Sequence, residues 1–154
     1  MLIDFPALAQ QCAPTVAIET ISAVVSHESR TNPFAIGING GARITRQPVN
    51  LQEAVETATK LLGMGLSIDL GLAQINSANL NRLGLTVEQV FEPCSNLRAA
   101  ETVLRGCYDP VARQHGHGQR ALQAALSCYN TGSYLRGFSN GYVSSIYKLA
   151  KPRE

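Results

Sequence analysis

The stretch Ala17-Ile18-Glu19-Thr20-Ile21-Ser22-Ala23-Val24-Val25-Ser26-His27-Glu28-Ser29 decides how this chain is read. Ala17, Ile21 and Val24 recur at helical spacing, with Ile18 and Val25 alongside, so one face of a helix is apolar. Glu28 is the next member of that stripe. A carboxylate on a core-facing stripe loses solvation, which disfavours its charged form and raises its pKa. A Glu that holds its proton near neutral pH suits general-acid chemistry. Taken alone, Glu28 is better read as a helix-end carboxylate that swings to water or pairs with Arg30. The rest of the chain reverses that preference.

Around this stretch the spacing predicts a helix from about Pro14 to Glu28, broken by Thr31-Asn32-Pro33 because Pro33 disfavours helix at the residue before it. Ile36 to Gly41 followed by Ala42-Arg43-Ile44 reads as a β-hairpin with its turn near Asn39-Gly40, ended by Pro48. A second helix opens at Asn50, with Glu53 placed as in a capping box and Gly63 as its C′ residue. Met64 to Leu70 reads as a Gly-broken connector, and Gly71 to Leu83 as helical in part. Thr86 and Gln89 give a second capping box, with Leu85 and Val90 at the staple positions. Further helices are expected over about Asn96–Cys107, Gln119–Tyr129 and Ser139–Ala150, with a loop from Asp109 to Gly118. In the last helix Tyr142, Val143, Ile146 and Leu149 form the apolar stripe. The sum is one mainly α domain over residues 1–154, its core about 12–150, with a small β excursion.

The chain has 154 residues, 45% hydrophobic and 16% charged, so it can bury a core. A net charge of +2 without a basic stripe gives no reason to expect nucleic acid as a partner. No apolar run approaches the roughly 20 residues of a membrane span. Met1 to Pro6 lack the regions of a signal peptide, so either export is not used or the signal has been removed. Cys12, Cys94, Cys107 and Cys128 have no CxxC or zinc-type spacing. They suit two disulfides in an oxidising compartment or four buried thiols, and the three possible pairings are open at this point.

Three polar clusters interrupt apolar segments: Glu28-Ser29, Gly71-Leu72-Ala73-Gln74-Ile75-Asn76-Ser77, and Ser127-Cys128-Tyr129-Asn130-Thr131-Gly132. Neutral amides such as Gln74 and Asn76 offer donors and an acceptor to sugar hydroxyls and N-acetyl groups. Singly, Asn76 reads as a helix cap and Tyr129 as core. In this order the clusters resemble the lysozyme-like lytic transglycosylases, marked by Glu-Ser, Gly-Leu-x-Gln-Ile-Asn and Ala-x-Tyr-Asn-x-Gly, with Gly141-Tyr142-Val143 similar to a terminal Tyr-Val element. The resemblance covers roughly residues 12–150. Asn32 to Gly40, Arg46-Gln47-Pro48, Phe91-Glu92-Pro93-Cys94 and Leu126 to Asn130 resemble the VirB-type branch found in type IV secretion systems. Cys128 departs from the wider family's usual Ala.

The resemblance implies a lysozyme-like α+β fold, a periplasmic location and a peptidoglycan strand as substrate. It implies no cofactor and no metal, and secretion-system subunits as further partners. Nothing suggests an obligate dimer. It implies Glu28 as the single catalytic residue, acting first as acid and then as base. The product would be a 1,6-anhydromuramoyl end. Ser29 would orient Glu28 or meet the N-acetyl region. Gln74, Ile75 and Asn76 would line the glycan groove, Tyr129 and Tyr142 would pack near Glu28, and Asn130 would hold the groove together. It also implies Cys12 bonded to Cys94 and Cys107 to Cys128.

Glycosidases commonly use two carboxylates, and among eleven acidic residues Asp69 is the nearest second candidate. The alternatives are therefore a goose-type-lysozyme-like hydrolase and a non-catalytic peptidoglycan-binding module. His27-Glu28 is not followed by the second His of an HExxH motif, and His115 and His117 lie in a polar stretch, so a metalloenzyme is not expected.

Overall fold

A computed structural model describes residues 4–150; residues 1–3, where the signal-peptide reading begins, and 151–154 lie outside it. The described chain is mainly helical, with a three-stranded antiparallel sheet.

A first helix, α1 (Phe5–Cys12), was not expected. It is capped by Asp4, whose side chain accepts from the Ala7 amide at 3.3 Å, and it buries only Ala9 and Cys12. So narrow a stripe gives little periodic signal. The helix carrying Glu28, α2 (Ile18–Ser29), starts four residues later than its stripe suggested, because Ala17 is extended. It ends where Arg30 and Thr31 turn left-handed, with φ of 54° and 64°. Helix α2 is wedged between two apolar clusters. Ile21 and Val25 face one, while Ala23 and Val24 face the other. Glu28 thus emerges where the two halves of the core meet.

The expected hairpin does not form. Strand β1 (Ile36–Ile38) pairs instead with β2 (Ile68–Leu70), beyond α3 (Leu51–Gly63), and β2 pairs with β3 (Ile75–Asn76). The register sets Gly37 opposite Asp69, and Asp69 opposite Asn76. Nonlocal pairing wins because Ile68 and Leu70 are fully buried, while residues 42–47 stay at the surface apart from half-buried Ile44. The outer edge of β1 is satisfied by a side chain. Gln47 Oε1 accepts from the Ile36 amide at 2.9 Å, and Gln47 Nε2 donates to the Ile36 carbonyl at 3.0 Å.

Helix α3 is capped by Asn50 as expected. The Glu53 carboxylate accepts from the Val49 amide and pairs with Arg46 rather than closing a capping box. The connector expected over Met64–Leu70 contains β2. The segment after it is a turn, β3, a short 3-10 turn and α4 (Leu80–Leu83). The capping box of α5 (Val87–Val90) is complete, with Thr86 and Gln89 bonded reciprocally. Helix α6 (Pro93–His115) runs straight through the expected loop despite Pro110. Proline removes a backbone donor and crowds the carbonyl four residues back. That residue is Gly106, which is exposed, and an Arg105–Asp109 ion pair spans the same turn at 3.1 Å. Helix α7 (Gln119–Thr131) ends at left-handed Gly132. The helix expected over Ser139–Ala150 starts later, as α9 (Tyr142–Ala150). A short α8 (Arg136–Ser139) that was not expected precedes it, the two being separated by Asn140 and left-handed Gly141, and Leu149 is exposed rather than inward.

Two disulfides tie these elements together: Cys12–Cys94 joins α1 to α6, and Cys107–Cys128 joins α6 to α7. No described helix is long and apolar enough to cross a membrane.

Candidate active site

Glu28 leaves the last turn of α2 half-buried in the wall of a cleft of about 500 Å³. Gln74, Ile75, Asn76, Tyr129 and Asn130 line the same cleft, with Asn39, Asp69 and Arg82. The polar clusters that lie far apart in the chain therefore converge. The Cys107–Cys128 disulfide also forms part of the wall.

Glu28 is held by Tyr142, whose hydroxyl donates to Glu28 Oε2 at 3.1 Å. Burial raises the Glu28 pKa from 4.5 to about 7. The Tyr142 hydrogen bond opposes that rise by favouring the anion, and the Asp69 charge adds to it. Burial and the neighbouring Glu28 push the Tyr142 phenol upward too, so Tyr142 stays a donor. His27 packs edge-on against the Tyr142 ring, 5.1 Å between centroids.

Tyr142 is itself placed by an amide relay. Asn130 Oδ1 accepts from Asn140 Nδ2 at 2.8 Å, and Asn140 Oδ1 accepts from the Tyr142 amide at 2.9 Å. Tyr129 crosses the core junction and donates to the Ala73 carbonyl at 2.7 Å. Gln74 adopts φ of 53°. Its Nε2 donates to the Ala35 and Gly71 carbonyls at 3.0 and 3.1 Å, which fixes the turn before β3. Asn76 Nδ2 donates to Asp69 Oδ1 at 2.9 Å, and Asn39 Nδ2 approaches the same oxygen at 3.4 Å. Asp69 is thus bound into the sheet beside Glu28. Ser29 sits apart from the cleft: it is buried, and its Oγ donates to the Val25 carbonyl at 3.1 Å.

Sequence reasoning missed Asn96, which is fully buried at the start of α6. Its Nδ2 donates to the Leu70 and Val90 carbonyls at 2.9 and 2.7 Å, and its Oδ1 accepts from the Ala73 amide at 2.8 Å. One side chain thereby clamps the Gly71–Gln74 turn to α5 and α6. Asn140 was missed as well. Neither residue lies in a motif that chemistry alone would single out, although the alternation of Ile68, Asp69 and Leu70 was a readable strand signal for Asp69.

A mainly α, lysozyme-like domain with a carboxyl, Glu28, whose pKa burial raises to about 7 in an amide-lined cleft is the class that fold and site define. The profile of the transglycosylase SLT domain matches residues 5–145, and the chain belongs to that family. It is 47% identical to the type IV secretion system protein virB1 of Brucella abortus biovar 1 (strain 9-941), over 97% of this chain and 65% of that protein. It is 37% identical to protein virB1 of Rhizobium radiobacter, over 96% of this chain and 61% of the relative. Protein virB1 of Agrobacterium fabrum (strain C58 / ATCC 33970) is 36% identical over 96% of this chain and 60% of the relative. The chain therefore spans less than two thirds of the length of these relatives. No solved structure matches it.

Proposed function

We propose that this domain is a peptidoglycan lytic transglycosylase that opens the cell wall locally for a type IV secretion machine. The observation that carries the reading is Glu28: half-buried, with a pKa near 7, bonded to Tyr142, in a cleft lined by neutral amides. Protonated Glu28 donates to the oxygen between N-acetylmuramic acid C1 and N-acetylglucosamine O4. The C1–O bond breaks, and the glucosamine leaves with a 4-hydroxyl. The Glu28 carboxylate then removes the proton of the muramoyl C6 hydroxyl, O6 bonds to C1, and a 1,6-anhydro end forms without water. One residue serves as acid and then base, which favours a pKa near the working pH. Gln74, Ile75, Asn76, Tyr129 and Asn130 form the walls that hold the glycan. Ser29 acts only indirectly, by securing the last turn of α2.

Two disulfides support an oxidising location such as the periplasm. The secretion-machine context rests on the names of the virB1 relatives. A hydrolase reading has one observation in its favour, the presence of Asp69 as a second carboxylate in the cleft. Against it, Asp69 Oδ1 is already engaged by Asn76.

Digestion of purified peptidoglycan by the wild type and by Glu28→Gln, with products read by mass spectrometry, tests this. Anhydro-muropeptides from the wild type, absent with the variant, are expected. Reducing-end products would make the domain a hydrolase. Binding without products would make it a peptidoglycan-binding module.

A further inference from the structure

We infer that Arg82 is a specificity-determining residue that binds a carboxylate on the muramoyl side chain of the glycan strand. The inference rests on the peptidoglycan reading above and names the part of the substrate that the amides do not explain. Arg82 lies on α4 and lines the cleft that holds Glu28, and it is the one Arg or Lys among the described residues that line it. The glycan backbone of peptidoglycan is neutral, and hydroxyls and N-acetyl groups are served by amides. Its anions are the carboxylates of the peptide where one is attached, because the peptide's amide uses up the lactyl carboxyl, and the lactyl carboxylate itself where muramic acid is bare. A guanidinium in the groove matches that chemistry, because its planar fork pairs with carboxylates bidentately.

Arg82 is exposed, and two further observations bear on how its guanidinium is presented to a ligand. It makes no ion pair among the described residues; the pairs formed there are Arg46–Glu53 and Arg105–Asp109. It is also oriented, since Nη2 donates to Oδ1 of Asn79, another cleft residue, at 3.3 Å. The other acidic groups lining the cleft are Glu28, which is protonated in the reactive state, and Asp69, whose carboxylate disfavours an anionic substrate. Arg82 supplies the compensating attraction. It follows Asn76 after a single turn of chain, so the amide and the guanidinium belong to one wall.

The test compares kcat/KM on three strands: native peptide-bearing glycan, the same material with its carboxylates converted to amides, and amidase-stripped glycan whose only anion is the lactyl carboxylate freed by the stripping. Wild type should prefer native over amidated strands. Arg82→Ala should lower that preference about tenfold, chiefly through KM, and Arg82→Lys should restore part of it. A variant effect that also appears on stripped strands shows that Arg82 takes the lactyl carboxylate freed there as well, and one that vanishes there confines the contact to the peptide's carboxylates. An equal loss on native and amidated strands, or no loss on either, overturns the inference. If the wild type turns over none of the three, the lytic reading fails by itself. Arg82 is then judged by calorimetric binding of soluble native and amidated strands to Glu28→Gln with and without Arg82→Ala. An unchanged affinity ratio between the two strands overturns the inference there too.

Discussion

At the residue scale, the decisive fact is that Glu28 ends an apolar stripe without leaving it. Burial carries its pKa from 4.5 to about 7, so folded protein binds a proton that unfolded chain has released across that interval. The stability from this group is therefore full below pH ~4.5 and is lost as the pH rises through about 7. The displacement corresponds to about 3 kcal/mol. Glu28→Gln should accordingly be more stable than wild type at pH 8, by up to about 3 kcal/mol, with the gap closing below pH ~4.5; denaturant titrations at the two pH values check this. On the proposed mechanism the same proton serves the first chemical step, so kcat/KM on peptidoglycan should fall as the pH rises past about 7. Tyr142→Phe removes the hydrogen bond that favours the Glu28 anion. The alkaline limb of the pH–rate profile should then move to higher pH, and a limb that stays put would detach Tyr142 from the tuning of Glu28. Much of this was legible in the sequence because Glu28, Gln74, Asn76 and Tyr129 each interrupt a local periodic pattern. What could not be read was the direction in which Ser29 points, since a hydroxyl near a helix end serves a backbone carbonyl as readily as a ligand.

Elements place these residues, and here local signals give out. Helix stripes and caps are short-range and were readable, as the reciprocal Thr86–Gln89 box illustrates. Pairing β1 with β2 across the whole of α3 is not short-range, and the tempting Asn39-Gly40 turn leads instead into a surface loop whose Gln47 imitates a strand edge. Pro110 likewise signals a break, yet helix α6 continues through it, with the Arg105–Asp109 pair spanning the same turn. The clamp made by Asn96 has the same nonlocal character. Asn96→Ala strands two carbonyls and an amide in the core, and a loss of about 3 kcal/mol or more is expected in thermal or denaturant unfolding. Gly71 depends on that clamp. It adopts φ of 80°, and a Cβ there would lie 2.3 Å from Asn96 Nδ2. Gly71→Ala should therefore displace the turn that carries Gln74, reducing turnover together with stability.

For the whole molecule, the two disulfides close loops of different length around different parts of the structure. Four cysteines in a sequence permit three pairings, and the approach of α1 to the start of α6 and of α7 to its second half selects one. Cys12–Cys94 spans 82 residues and Cys107–Cys128 spans 21. Loop-closure entropy then gives about 4.5 kcal/mol for the first and about 3.4 kcal/mol for the second. Stability and activity should nevertheless rank in opposite orders. Cys12–Cys94 fastens α1 at a distance from the cleft, whereas Cys107–Cys128 is part of the cleft wall beside Tyr129 and Asn130. The double Ser variant at Cys12 and Cys94 should lose more melting temperature yet keep its turnover of peptidoglycan below the transition. The double Ser variant at Cys107 and Cys128 should melt closer to wild type yet lose turnover, because α6 and α7 are then free to separate across the bound glycan. Paired measurements of melting temperature and muropeptide release on both variants decide the matter. Equal activity losses would mean that the second bridge stabilises the fold without shaping the cleft.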